Sequence, residues 1–357
     1  MLTCRWEPCR LWSVAVETAI EDTRRRGSRR GRPRVVALTG VHSTTGAALV
    51  RRLDEDDQVS RLVLIDRRAP ALPLRKAVTR IVDLTATLAD SAIAEVLARE
   101  RVQTVIHAAF HDTPVHALEA AHELEVIGTR ALLHAVAHDV RHDGTVANLV
   151  VLGTTMSYGA RRDNPQYLSE EAPLRGGARY PFVADKIAVE GEVATFRRRS
   201  GLPTAVLRAC WTVGDAGTLA ARFLAPLAVP ALLGIDPLVQ LLHLDDLVDA
   251  VRLAALGRHD GVFNVAGDGV LPLSTIVKLA GRLRAAAPEP LVRAALQTLW
   301  VAGIGLVPEA HVAYLRDTFV ADGARASEVL GFRPRYSTRD ALGRHVAARR
   351  GTARLAA

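Results

Sequence analysis

From Arg34 onward, short apolar runs of strand length alternate with longer amphipathic stretches, and this alternation constrains the fold more than any other feature of the chain. The runs are Val35 to Thr39, Leu62 to Asp66, Arg80 to Leu84, Val102 to Ala109, Val146 to Leu152 and Thr204 to Arg208. Between them lie segments with helical apolar spacing: Gly46 to Leu53, Ile93 to Arg101, His116 to Ala137 and Lys186 to Arg198. Strand, crossover helix and strand, repeated, is the pattern of βαβ units. The runs are apolar at successive positions, so both sheet faces must be covered, which requires parallel strands with helices on each side. The expected fold is α/β, a Rossmann-like doubly wound parallel sheet. Past Val213 the elements shorten, and Pro226, Pro230, Pro237, Pro272, Pro288, Pro290 and Pro308 mark turns. Open α/β sheets bind ligands at the carboxyl ends of their strands. The later part is therefore expected to be a smaller C-terminal substrate-side domain over those ends. The predicted organisation is an extension at 1–33, a Rossmann domain at 34–212 to which parts of 239–266 return, and a cap at 213–350.

The net charge of +8 does not argue for a nucleic-acid partner. Residues 1–34 carry nine arginines against four acids, so five of the eight charges belong to a basic, Arg/Gly-rich leader with no periodic apolar face. That leader reads as a disordered extension. It is not expected to be a signal peptide, because Glu7, Glu17, Glu21 and Asp22 interrupt its apolar stretch and no small-residue cleavage site follows. Cys4, Cys9 and Cys210 have neither metal-ligand spacing nor an even disulfide framework, which favours a reducing, cytoplasmic setting. The longest apolar stretch, Pro290 to Val307, contains Arg293 and Gln297 and reads as an amphipathic cap helix rather than a membrane span, so membrane contact is not expected. Only three of the 46 basic residues are lysines, Lys76, Lys186 and Lys278, so each retained lysine asks for a reason.

The first strand runs into Thr39-Gly40-Val41-His42-Ser43-Thr44-Thr45-Gly46, and a helix opens directly afterwards. This is the place for a phosphate-binding turn. Gly40 permits the tight bend, Gly46 permits close helix packing, and helix N-terminal amides would face a pyrophosphate. Ser43 stands where the usual pattern has its middle glycine, and its hydroxyl is expected to bond a phosphate oxygen. Asp66 ends the second strand, where an acid accepts the ribose hydroxyls of NAD. Arg67 and Arg68 follow it and would suit the additional phosphate of NADP. NAD is the expected cofactor, with NADP as the alternative.

With these residues in place, the chain from Val35 to about Ala347 resembles the extended short-chain dehydrogenase/reductase family, in its NAD-dependent epimerase/dehydratase branch. The resemblance rests on the Gly40 to Gly46 turn, Asp83-Leu84, His107-Ala108-Ala109, Val126-Ile127-Gly128-Thr129, Tyr158-Gly159 and Arg208 to Gly214. It rests further on His243-Leu244-Asp245-Asp246, Phe263-Asn264-Val265 and Leu330-Gly331-Phe332-Arg333-Pro334. It implies that Asp83 and Leu84 lie at the adenine, that Ala108 and Ala109 line the cofactor, and that the catalytic centre combines a Ser or Thr with Tyr-x-x-x-Lys.

Thr154 fills the first catalytic position and Lys186 the last, where the family's lysine holds the nicotinamide ribose and lowers the tyrosine pKa. Phe182 occupies the tyrosine position, so the phenol that would carry the proton is missing. Tyr180 is the nearest substitute; two helical residues correspond to about 200° of rotation, so it faces away unless Pro181 starts the helix. Tyr158, Tyr167 and His111 are further candidates. Glu125 replaces the asparagine common in the family. His134, His138 and His142 have helical spacing but no visible third ligand, and no metal is expected. Cys210 reads as core.

Two functions follow. The first is an NAD(P)-dependent epimerase/dehydratase-like oxidoreductase with an atypical proton donor, acting on a nucleotide-sugar, sterol or other hydroxyl or carbonyl substrate. The second is an NAD(P)-binding sensor or structural protein without redox turnover. The expected partners are a small-molecule substrate and a second copy of the chain in a homodimer.

Overall fold

Seven parallel strands make the central sheet: β1 (Arg34–Thr39), β2 (Val59–Asp66), β3 (Ala77–Ile81), β4 (Thr104–His107), β5 (Asn148–Thr154), β6 (Thr204–Ala209) and β7 (Gly261–Val265), in the spatial order β7-β6-β5-β4-β1-β2-β3. The order reverses between β1 and β4, which opens a crevice above their carboxyl ends. The computed structural model describes residues 33–356. The basic leader, including Cys4 and Cys9, lies outside the described residues apart from Pro33, and Arg34 begins a single compact unit.

Along the central strands, alternate side chains enter different cores, which is why those runs are largely apolar. Val36 and Leu38 pack under helices α1 (Thr44–Asp54) and α5 (Leu244–Leu256), while Ala37 between them packs on the opposite side. That opposite side is covered by α2 (Ala89–Glu100), α3 (Gly128–Arg141) and α4 (Pro181–Ser200). In α1 the buried Leu49, Val50 and Leu53 form one stripe and Arg51 and Arg52 face out. Burying each such side chain contributes about 1.5–3 kcal/mol. The segment 244–265 supplies α5 and β7 to this layer.

The carboxyl end of α5 is held by polar side chains reaching up from the sheet. The Asn148 amide donates to the carbonyls of Ala254 (2.9 Å), Ala255 (3.3 Å) and Gly257 (3.1 Å), while Thr104 and Arg34 donate to Ala255 and Arg34 also to Gly257. These bonds satisfy carbonyls that have no partner inside the helix. A third core joins Met156, Tyr158, Tyr180 and Val183 to Trp211, Phe223 and Tyr314, so residues before 213 pack together with the later part of the chain. There Ala228–Leu232 pairs in parallel with Leu283–Ala287.

Two expected elements differ. β3 ends at Ile81 rather than running from Arg80 to Leu84, because the Asp83 carboxylate accepts the backbone N–H (2.9 Å) and hydroxyl (2.7 Å) of Thr85 and turns the chain off the sheet edge. The stretch His116 to Ala137 is not one α-helix. A helix at Leu118–His122 widens into a π-turn at Glu123–Ile127 before α3 begins, and the Thr129 hydroxyl donates to the Glu125 carbonyl there. The apolar stretch after Pro288 forms α6 (Glu289–Val301), and among the described residues no helix is long and apolar enough to cross a membrane.

Candidate active site

The turn after β1 is built by two close approaches. Gly40 has φ +74°, and a Cβ there would run into the Ala108 carbonyl at the end of β4. A Cβ on Gly46 would strike the Gly40 carbonyl. Ser43 caps α1, accepting the Gly46 N–H at 2.9 Å, and it gives its own hydroxyl proton to the Gly40 carbonyl at 3.0 Å. A bond from Ser43 to a phosphate oxygen would require this hydroxyl to turn away from the Gly40 carbonyl. Two backbone-facing roles explain why serine replaces glycine here.

Asp112, which the sequence reading did not single out, reaches this turn from the loop after β4. Its Oδ2 accepts the Thr44 N–H at 2.6 Å and its Oδ1 accepts the Thr45 hydroxyl at 3.3 Å. Burial pushes its carboxyl above the ordinary range, against the opposing pull of those hydrogen bonds and of Lys186. The one available signal was an acid five residues beyond the end of β4.

Along the outer crevice runs a groove of about 840 Å³ lined by Gly40, Asp66, Arg67, Asp83, Leu84 and Ala109, with Ser43, Arg68 and Asp112. Asp66 accepts the Val41 N–H at 3.0 Å through one oxygen and the Arg67 N–H at 2.7 Å through the other. Both oxygens keep further lone pairs toward the groove. Hydrogen bonding by Thr85 holds the Asp83 carboxyl below the usual range.

A smaller cavity of about 120 Å³ lies at the inner end, lined by Thr154, Phe182, Lys186, Met156, Cys210 and Trp211, with Ala108, His111 and Asp112 at its edge. Thr154 ends β5, and its Oγ1 accepts the Met156 N–H at 3.2 Å, a bond that uses a lone pair and not the hydroxyl proton. On α4, Lys186 stands one turn after Phe182, with its ammonium 4.3 Å from the centre of that ring. Both carboxylate oxygens of Glu125 lie 3.0 Å from the same ammonium, and Oε1 also accepts the His111 N–H at 2.8 Å. The pair is largely buried, with side chains 9% and 2% exposed.

The tyrosine candidates are elsewhere. Pro181 does start α4, and Tyr180 precedes it as the N-cap. Its hydroxyl lies 3.3 Å from His311 Nδ1 among Phe182, Tyr314 and His311, not on the inner cavity, and burial raises its pKa. The Tyr158 hydroxyl donates to Asn264 Oδ1 (2.7 Å) and accepts from Arg208 (2.8 Å), which is itself paired with Glu190 at 2.6 Å, so its proton and lone pair serve the scaffold. Tyr167 is exposed and lines neither space. Burial pushes the Cys210 thiol up to about 12. The His138 and His142 rings lie 4.3 Å apart, and among the described residues no group of three or more His, Cys, Asp or Glu could hold a metal.

A glycine-built strand-to-helix turn, an acid at the end of the next strand and a Thr/Lys cavity, all at the reversal point of a parallel sheet, define a dinucleotide-binding α/β protein. The chain belongs to the NAD dependent epimerase/dehydratase family, whose pattern it matches over residues 36–266. The uncharacterized protein Rv0501 of Mycobacterium tuberculosis is 30% identical over 314 residues, covering 87% of this chain and 82% of that protein, and a counterpart in Mycobacterium bovis matches equally. Among solved structures, MoeE5 in complex with UDP-glucuronic acid and NAD superposes with a TM-score of 0.68 at 21% identity, covering 90% of this chain and 100% of the other. UDP-glucose 4-epimerase from Thermotoga maritima with UDP-glucose also gives 0.68, at 18% identity, covering 89% and 99%.

Proposed function

We propose that this protein is an NAD-dependent oxidoreductase of the epimerase/dehydratase type, acting at a hydroxyl-bearing or carbonyl carbon, with a proton donor other than the tyrosine its relatives in fold would suggest. The observation that carries the reading is the convergence of Thr154 and Lys186 on a cavity continuous in its lining with the Gly40 turn, through Ser43, Phe110, His111 and Asp112. The close-packed glycines and Asp66 fit a dinucleotide. Asp66 would hold the adenosine ribose, the turn the pyrophosphate, and Lys186 the second ribose. When bound, the nicotinamide supplies the hydride acceptor and donor. Sugar nucleotides are the substrate class this reading favours, since the similar structures carry UDP-glucuronic acid and UDP-glucose.

In this reading Thr154 donates a hydrogen bond to the substrate oxygen and Lys186 orients the ribose. Hydride transfer at a carbinol carbon needs a matched proton transfer, which a benzyl ring cannot supply. The Phe182 ring packs against the Lys186 ammonium at the position four residues earlier. The experiment is Phe182→Tyr, assayed for reduction of bound NAD and for epimerisation of UDP-sugars. An increase of roughly 10²- to 10⁴-fold at unchanged NAD affinity is expected for a restored general acid. Turnover by the unaltered protein as fast as by the variant would mean that another group carries the proton, and His111 and Thr154 would then be replaced in turn.

Phe182 and the Glu125 carboxylate on Lys186 also favour a second reading, a protein that binds NAD without redox turnover. Binding of NAD by both forms with turnover by neither would select it. Homodimer assembly and a cytoplasmic setting are proposals of the same kind, and light scattering on the purified chain tests the first.

A further inference from the structure

The amide that a helix N-terminus would offer to a pyrophosphate is already bonded to the chain itself. The Thr44 N–H, at the start of the 11-residue α1, donates to Asp112 Oδ2 at 2.6 Å, and the Thr45 hydroxyl donates to Oδ1 at 3.3 Å. A carboxylate at that place satisfies an orphan helix amide and lies in the favourable end of the helix dipole, as a phosphate oxygen would. Two anions cannot share one N–H at this distance, so the carboxylate and a pyrophosphate are competitors for the same bond.

The loop that carries the carboxylate is moored on both sides. One residue before it, the His111 N–H donates to Glu125, the acid that also occupies Lys186. One residue after it, the Thr113 hydroxyl accepts from Arg222 at 3.0 Å. The loop therefore holds one carboxylate over the phosphate-binding amide while being tied to a second carboxylate on the ribose-orienting lysine.

We infer that Asp112 is a built-in latch on the cofactor site, an anion of the chain that occupies the phosphate-binding turn and must be displaced before a dinucleotide diphosphate can enter. This rests on the NAD-binding reading and adds that the cofactor affinity is set by an intramolecular competitor. The latch acts only on ligands that carry phosphate to the turn. A ligand that reaches Asp66 without phosphates does not meet it.

The test is calorimetric titration of NAD and ADP into the unaltered protein, Asp112→Ala and Asp112→Asn, with adenosine followed by ligand-observed NMR. Thermal melts of the three ligand-free forms show whether each is folded. Asp112→Asn keeps the size and one acceptor but lacks the charge, so it remains informative if the alanine form does not fold. NAD and ADP should bind the variants roughly 10- to 100-fold more tightly, the span that loss of one charged competing hydrogen bond corresponds to. Adenosine should bind all three forms alike or none of them. Equal NAD affinity across the folded forms overturns the latch, as does an equal gain for adenosine, which would mean general loosening of the groove. Binding of neither NAD nor ADP to any folded form overturns the dinucleotide reading itself and the latch with it.

Discussion

Glu125 and Lys186 are 61 residues apart in the chain, yet both carboxylate oxygens of the first lie 3.0 Å from the ammonium of the second, and both side chains are largely buried. A buried pair of this kind has roughly balanced attraction and desolvation while intact, and leaves an uncompensated charge when broken. Glu125→Ala should therefore lower unfolding stability by about 3–5 kcal/mol in urea titrations, and the double replacement Glu125→Leu with Lys186→Met should recover most of it. An unchanged midpoint for Glu125→Ala would show that Lys186 finds another partner.

Asp66 should select NAD over NADP. Its two oxygens are oriented by the Val41 and Arg67 amides, and an additional phosphate on the ribose would meet their charge. Asp66→Ala should weaken NAD by roughly 1.5–3 kcal/mol, the value of hydrogen bonds to a charged group. Tighter binding of NADP than NAD by the unaltered protein would transfer the choice to Arg67 and Arg68.

Two fully buried histidines should make the fold acid-labile. Burial pushes His107 and His311 down to about 3 from an ordinary 6.5. His107 is held neutral between the Thr39 hydroxyl (2.7 Å) and the Thr129 hydroxyl (2.8 Å). Since the Thr129 proton goes to the Glu125 carbonyl, Nε2 must be the protonated nitrogen and Nδ1 the acceptor. For a depressed histidine the stability is complete above the unfolded value of 6.5 and is lost as pH falls toward about 3. Each should cost about 2 kcal/mol at a pH of about 5. His311→Phe should flatten the slope of melting temperature against pH in this window; an identical slope would reject the assignment.

Asn148 should be worth more than its single amide suggests. It donates to three carbonyls at the end of α5, and Asn148→Ala would leave buried acceptors without it. A loss of about 1–3 kcal/mol is expected from chemical denaturation, and a loss below about 0.5 kcal/mol would mean that Arg34 and Thr104 suffice.

Most of the sheet was legible in the sequence because its central strands are buried on both faces and therefore largely apolar, but the seventh strand, Gly261–Val265, was not read as one: Asn264 interrupts its apolar run. The turn was legible in Gly40 and Gly46, and Asp66 by its place at the end of the second strand, whereas Thr154 and Lys186 were legible only through the family resemblance. Asp112 was not. Nothing local distinguishes it from a solvated loop acid, and its importance depends on a turn 68 residues earlier.

What the sequence determined by itself is whatever depends on period and proximity along the chain: strands, helices and the glycine turn. The tertiary structure alone decided where charges meet. The π-turn at Glu123–Ile127 brings Glu125 onto Lys186, and the loop after β4 brings Asp112 onto Thr44. The reason is physical. Apolar burial follows a repeating pattern that a chain displays along its length, whereas a hydrogen bond between distant residues depends on the placement of two atoms within a few tenths of an ångström, and only the packed sheet and its crossovers fix that placement.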